Sequence, residues 1–167
     1  MHANYFYLAA VTFGLCVAYL LLEHLFSLFF TKHFAHIGRR SIGSVAIIVV
    51  TSILGYVLTL FISDPESSNR VLHMFGGGFL AIMVCFLVVK DSRITITKFQ
   101  FFIFSFMVVT TLGVGNEIME FFLQNYGGLI ATTTLNDTWF DLIANTTGIF
   151  VASICFTPFI PDTLGEP

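Results

Sequence analysis

The stretch FQFFIFSFMVVTTLGVGNEIMEFFL, residues 99–123, decides the fold of this chain. A helix needs about 20 mostly apolar residues to cross a bilayer. Within this stretch the only charged residues are Glu117 and Glu120, which lie on one helical turn near its end. The stretch therefore predicts a membrane-spanning helix, and its two carboxylates need an explanation of their own.

The composition of the whole chain is that of an integral membrane protein. Of its 167 residues, 56% are hydrophobic and 10% are charged, and 21 are phenylalanine. The mean hydropathy is +0.90. Soluble domains carry roughly 25% charged residues and have no interior large enough for this apolar content. The length predicts one transmembrane domain, residues 1–167, and we expect no nucleic-acid partner.

The distribution of apolar residues predicts an all-α, polytopic transmembrane helix bundle with about five spans. The predicted spans cover residues 4–30, 43–62, 71–89, 99–123 and 138–156. The first is long enough to tilt or to continue along the membrane interface. The fifth is the least apolar, because Asp141 and Asn145 interrupt it.

The positive charges predict the orientation of the bundle. Six of the seven Lys and Arg residues lie in the first and third predicted loops: Lys32, Arg39, Arg40, Lys90, Arg93 and Lys98. Cytoplasmic loops carry an excess of Lys and Arg. We therefore expect a multi-pass protein of the plasma (inner) membrane, with its N-terminus outside and its C-terminus cytoplasmic.

Polar residues in the last three spans fall on helical stripes. A carboxylate at the centre of a membrane helix costs about 2.5–3.5 kcal/mol on insertion scales, so such residues usually face a protein interior or a partner. Residues three or four apart share a helix face. The stripes are Thr110, Gly113, Glu117, Glu120 and Gln124; Asp137, Asp141, Asn145, Gly148 and Ala152; and His73, Gly77 and Ala81. We expect the three stripes to face one another.

These stripes predict a polar site in the outer half of the bundle. The candidate ligand-binding residues are His73, Glu117, Glu120, Asp141 and Asn145, with Asn116, Asp137 and Gly148 in support. Carboxylate oxygens and an imidazole nitrogen can hold a divalent metal ion, for which the candidate ligands are His73, Glu117, Glu120 and Asp141. Glu23 and His24 are expected at the opposite end of the bundle, near the basic residues of the first loop.

The segments NEIMEFF, residues 116–122, and NDTWFDLIANTTGIFVA, residues 136–152, resemble the C-terminal half of VanZ-like membrane proteins. The resemblance is closest to their YjdF-type branch, and it extends over roughly residues 69–152. Glu117 and Glu120 match the family's acidic helix. The segment HMFGGGFLA, residues 73–81, is similar to its histidine-glycine helix.

The resemblance implies a multi-pass protein of the cell envelope with a polar outer site. Some VanZ-like proteins are associated with low-level glycopeptide resistance, but the family implies no particular reaction. This chain departs from VanZ proper at two points. VanZ proper tends to carry a glutamine and an arginine between the two helices. In this chain Glu120 stands near the place of that glutamine, and the segment YGGLIATTTL, residues 126–135, contains no arginine.

Three functions are compatible with the predicted site. The first is that of a structural or assembly subunit of a larger membrane complex, with lipids, other membrane subunits or a second copy as partners. The second is binding of a lipid headgroup, an amine or a small cation at the carboxylates. The third is metal-dependent hydrolysis of a lipid or an envelope precursor. The sequence favours a non-enzymatic role, and a divalent metal ion is the one cofactor that its residues suggest.

Overall fold

The computed structural model describes residues 5–26, 28, 39–92, 94–127 and 135–160, and within these residues all regular secondary structure is helical. The helices are α1 (Tyr5–Phe26), α2 (Arg39–Thr59), α3 (Pro65–Leu72), a π-helical segment (His73–Leu80), α4 (Ala81–Ser92), α5 (Lys98–Gly127), α6 (Leu135–Phe156) and a 3-10 turn (Thr157–Phe159). The prediction of an all-α bundle is confirmed.

Four helices in the described part of the chain are long and apolar enough to cross a membrane. They are Ser41–Thr59, Pro65–Ser92, Lys98–Gly127 and Asn136–Phe159, while α1 contains a shorter apolar stretch, Val11–Phe26. Four residues of the first predicted span, 4, 27, 29 and 30, lie outside the described residues. The orientation of the termini remains a prediction.

Two helix ends show how the sequence sets the connections. Asp64 caps α3, accepting a hydrogen bond from the Ser67 backbone N–H at 2.9 Å, and Pro65 occupies the first turn. Hydrogen bonds from the Ser67 hydroxyl and backbone hold the pKa of Asp64 below its usual value. At the other end of the sequence, α6 begins at Leu135. Asn136 and Asp137 lie inside its first turn.

The helix Pro65–Ser92, formed by α3, the π-helical segment and α4, is the centre of the bundle. From Leu80 to Val89 every side chain except Phe86 is buried. One apolar cluster joins α4 to α1 and α2 through Tyr19 and Ile48. A second joins α4 to α5 and α6 through Phe101 and Ile149. The central helix is therefore covered by α1 and α2 on one side and by α5 and α6 on the other.

Two hydrogen-bonded sets, Tyr19–Asp91–Ser44 and Glu23–Ser41, which we call together the Asp91 network, join α1, α2 and α4 at one end of the bundle. Asp91 Oδ2 accepts hydrogen bonds from the Tyr19 hydroxyl at 2.7 Å and from the Ser44 hydroxyl at 2.5 Å. Buried Glu23 accepts one from the Ser41 hydroxyl at 2.9 Å. Glu23 thus contacts the first turn of α2. Lys32 and the side chains of Arg39 and Arg40, its expected neighbours, lie outside the described part.

We expect Tyr19→Phe to destabilise the fold. Tyr19 is fully buried, and a hydrogen bond to a charged acceptor contributes about 1.5–3 kcal/mol. The free energy of unfolding of the purified protein should fall by about that amount. Tyr126→Phe is the matched control, since Tyr126 is 80% exposed. Equal stability of the Tyr19 variant and the parent would show that the Asp91 network contributes nothing.

Candidate functional site

The polar stripe of α5 faces the interior of the bundle. Gly113 and Glu117 are buried and Glu120 is half-buried, whereas Val114, Ile118 and Met119 on the other faces are exposed. The stripe of α6 is buried in the same way, at Asp141, Asn145 and Gly148. The predicted third stripe contributes His73, which is 6% exposed. The three stripes meet at the end of the bundle opposite the Asp91 network.

The third stripe lies on the π-helical segment, where backbone hydrogen bonds join residues five apart. This segment contains Gly76, Gly77 and Gly78. Its contact with α6 is the most extensive contact between two helical elements in the described chain. A Cβ on Gly78 would lie 2.6 Å from the Asn145 carbonyl oxygen, and one on Gly77 would overlap the Asn145 side-chain oxygen. The absence of side chains on these glycines is therefore what lets α6 approach this closely.

His73 lies between two carboxylates from two different helices. Its Nδ1 atom is 3.9 Å from Glu117 Oε1, and its Nε2 atom is 3.4 Å from Asp141 Oδ2. Both distances exceed the usual 2.7–3.2 Å of an N–H···O hydrogen bond. The imidazole is therefore near both acids without being tightly bound to either.

Glu117 is the least satisfied polar side chain of the site. It is 7% exposed, and neither of its carboxylate oxygens has a hydrogen-bond partner among the described residues. A buried polar group left without a partner costs about 1–3 kcal/mol, and more if it is charged. Such groups are uncommon in native proteins, and each one calls for an explanation.

Glu120 extends the site toward the surface. Its Oε1 atom accepts a hydrogen bond from Asn116 Nδ2 at 2.8 Å, so the supporting residue Asn116 holds Glu120 from the exposed face of α5. One ligand atom each from His73, Glu117 and Glu120 lies within 4.8 Å of the other two. Among the described residues, these three form the group whose ligand atoms are close enough together to hold a metal ion. We call them, together with Asp141, the Glu117 cluster.

Asp141 lies on the other side of the imidazole, where Asn69 holds it. Asn69 Nδ2 donates to Asp141 Oδ1 at 3.2 Å and to Oδ2 at 3.3 Å. Asn69 was not among the residues predicted from the sequence. Its position four residues before His73, and so on the same helix face, is the signal that could have found it. The predicted third span began only at residue 71.

Next to Asn69, Arg70 connects α3 with the start of α6. Its guanidinium carbon lies 4.3 Å from the centre of the Phe140 ring, and its Nη2 atom is 3.2 Å from Glu66 Oε2. Arg70 brings a positive charge to the rim of the site, at the end of α3 that leads into His73. The carboxylates of the cluster itself are contacted by His73, Asn69 and Asn116.

The remaining predicted residues occupy the layer next to the cluster. Asn145 is 5% exposed and lies against Gly77 and Gly113, and its Oδ1 atom has no hydrogen-bond partner among the described residues. Gly148 packs directly on the backbone of Met74. Asp137 is half-buried in the first turn of α6. Asn145 is thus a polar neighbour of the cluster, whereas Gly148 serves helix packing.

Comparison with known sequences assigns the chain to a protein family. A family model described as "Predicted membrane protein (DUF2238)" matches residues 2–160, which include every residue of the site. Comparisons with curated proteins and with solved structures give no match. The multi-pass, helical character of the chain and the family match agree that it is a membrane protein.

Proposed function

We propose, from the premise that this chain belongs to the DUF2238 family of predicted membrane proteins, that it binds a small cation at the Glu117 cluster. The observation that carries this proposal is the buried Glu117 carboxylate, whose two oxygens have no hydrogen-bond partner among the described residues. A bound positive group would supply the interaction that these oxygens lack.

The charges around Glu117 support a positively charged ligand. Glu120 and Asp141 add two further carboxylates, and His73 lies between Glu117 and Asp141. Arg70 pairs with Glu66 at the rim. A metal ion and a protonated amine, such as that of a lipid headgroup, both have the charge that this arrangement attracts.

Glu117→Gln tests this proposal, because it keeps the shape of the side chain and removes its charge. Ligand binding stabilises the folded state by about 2.7 kcal/mol at 100 times the dissociation constant. We expect MnCl2, ZnCl2 or ethanolamine to raise the unfolding temperature of the purified protein, and Glu117→Gln to abolish most of that rise.

Asn125→Ala is the matched control, since Asn125 is an exposed residue on the same helix as Glu117 and lies outside the Glu117 cluster. It should respond to the cation as the parent does. An identical temperature shift in the parent and in Glu117→Gln would contradict cation binding at this carboxylate.

A second proposal is the structural role, in which the chain is a subunit or assembly factor of a larger membrane complex. The feature that favours it is the outer face of α5, which exposes Phe99, Met107, Phe121 and Phe122. Lipids or another membrane protein can cover such a face. Native mass measurement after detergent extraction separates the two, because only a complex gives stoichiometric co-purification with another protein.

Two predictions from the sequence, the VanZ-like resemblance and the metal-dependent hydrolase, extend the first proposal. If the chain is VanZ-like, Glu117 and Glu120 belong to that family's acidic helix, and the protein acts in the cell envelope from the plasma membrane. An ion held by the cluster could also activate a water molecule for attack on a lipid ester or phosphate. That hydrolase alternative requires the cation site first.

A further inference from the structure

We infer that the cation is a divalent first-row transition-metal ion, such as Zn²⁺, Mn²⁺, Fe²⁺ or Co²⁺, bound by His73 Nδ1 and by carboxylate oxygens of Glu117 and Glu120. Asp141 and Asn69 orient the histidine from its other side. This inference rests on the proposed function and names the ligand of the same site.

The separation of His73 and Glu117 fits an ion between them. A nitrogen and an oxygen that bind one zinc ion at about 2.0–2.2 Å lie about 3.3–3.6 Å apart at a tetrahedral angle and at most about 4.4 Å apart at wider angles. His73 Nδ1 and Glu117 Oε1 are 3.9 Å apart, which is too long for a direct hydrogen bond and short enough for a shared ion. One ligand atom each from His73, Glu117 and Glu120 lies within 4.8 Å of the other two, a bound slightly wider than 4.4 Å, so a shared ion would draw the half-buried Glu120 side chain inward.

The second nitrogen of His73 faces a carboxylate, the kind of partner that metal-binding histidines use, at a distance slightly longer than a usual hydrogen bond. Histidines that bind metals almost always donate their other ring N–H to a carboxylate, a carbonyl or water, and that bond fixes the tautomer. Asp141 Oδ2 lies 3.4 Å from His73 Nε2, and both Asp141 oxygens accept from Asn69. A proton on Nε2 facing Asp141 leaves the lone pair of Nδ1 directed at Glu117.

The ligand types and their charge favour a transition metal. Imidazole nitrogen suits Zn, Fe and related ions, whereas Ca²⁺ and Mg²⁺ prefer oxygen ligands alone. Mg²⁺ also keeps several of its waters, which a site with Glu117 and His73 both less than a tenth exposed does not favour. Two glutamates balance the charge of one divalent ion, while a single ammonium would leave one of the two carboxylates without a compensating charge.

The competing arrangement is a protonated His73 that bridges the two acids without any ion. Charge-assisted N–H···O bonds are shorter than neutral ones, at about 2.7–2.9 Å. The two contacts of His73 are 3.9 and 3.4 Å long. An imidazolium in this position would be expected to draw both carboxylates closer, so these distances do not favour a bridging imidazolium.

The test is equilibrium dialysis of the purified full chain against CoCl2, with the visible absorption of bound Co²⁺ as a second readout. We expect one Co²⁺ per chain and no displacement by a tenfold excess of MgCl2. His73→Gln should lower the affinity by more than about 100-fold, because it removes a metal ligand. Asp141→Asn and Asn69→Ala should lower it by about 10–100-fold and leave the absorption bands in place, since they leave the three ligands unchanged.

Asn125→Ala is the matched control, because Asn125 is an exposed asparagine on α5 that bonds only the Phe121 carbonyl among the hydrogen bonds described. Its Co²⁺ affinity should equal that of the parent. If His73→Gln does not fold, the preference of the parent for Co²⁺ over Mg²⁺ decides the question.

The outcomes separate this inference from the proposal on which it rests. Stabilisation by ethanolamine or Mg²⁺ that depends on Glu117, without Co²⁺ binding, overturns the metal assignment and keeps the cation site. Equal Co²⁺ binding by His73→Gln and the parent overturns the role of His73. Failure of every cation to bind overturns both.

Discussion

Replacing Gly148 by leucine is expected to abolish folding, which is the largest effect that this structure implies. A Cβ at Gly148 would overlap the backbone oxygen of Met74 and would lie 3.0 Å from the Cα of Gly78. Both neighbours are backbone atoms, so no side-chain rotation can make room. Overpacking of a tight contact costs about 1–3 kcal/mol and more for larger side chains. Size-exclusion chromatography of the detergent-extracted variant should show little or no monodisperse protein.

Gly115→Leu is the matched control for this experiment. Gly115 lies on α5, and a Cβ there would meet no atom within 4 Å. Its leucine variant should be extracted at the yield of the parent, and its stability should change by less than about 1 kcal/mol. Normal folding of Gly148→Leu would contradict the close contact between α6 and the π-helical segment.

Glu117→Met is expected to stabilise the protein while it removes cation binding. Methionine has a similar length and volume, and it replaces two buried oxygens that have no hydrogen-bond partner among the described residues. Removing such groups should raise the free energy of unfolding by about 1–3 kcal/mol when a chelator is present. The same change should lower divalent-cation affinity by more than about 100-fold. Unfolding by heat or denaturant and equilibrium dialysis measure the two effects on one preparation.

The opposite signs of these two effects separate a binding site from a structural network. If Glu117 held the helices together, Glu117→Met would lose stability together with binding. Asn69→Leu provides the contrast, because Asn69 donates to both oxygens of buried Asp141. That variant should destabilise the fold, by about 1–3 kcal/mol. A loss of stability in Glu117→Met as large as that in Asn69→Leu would contradict the binding account.

Much of the fold follows from apolar length. The stretch at 99–123 predicts a spanning helix, and α5 covers it as Lys98–Gly127. A long apolar run in a membrane protein strongly favours a helix, because a helix hydrogen-bonds all of its own backbone N–H and C=O groups where no water is present.

The helix faces that form the site could also be predicted from the sequence. His73, Glu117 and Asp141 each interrupt an apolar helix, and helical spacing places them with Gly77, Gly113 and Gly148 on narrow stripes. Polar and small residues on one face predict contact between helices. The distances from His73 to Glu117 and Asp141 agree with stripes that face one another.

Two features could not be predicted because they depend on tertiary contacts. The π-helical geometry of His73–Leu80 occurs where Gly78 meets the backbone of α6 and Gly77 meets the Asn145 side chain, and a glycine triplet alone is also compatible with a kink. The Asp91 network was missed because Tyr19 looks like another apolar aromatic. Asp91, next to Lys90, looks like a loop residue. Only the packing of α1 against α4 brings their side chains together.

The most direct test of the account is a structure of the full chain in lipid, determined with Co²⁺ or Zn²⁺ present and with anomalous scattering to identify the metal. The account predicts one ion between His73, Glu117 and Glu120, about 2.0–2.2 Å from His73 Nδ1 and from a Glu117 oxygen. Asp141 should contact the other imidazole nitrogen. A Glu117 carboxylate that is hydrogen-bonded directly to neighbouring side chains, with no anomalous signal beside it, would contradict cation binding and would leave the structural role.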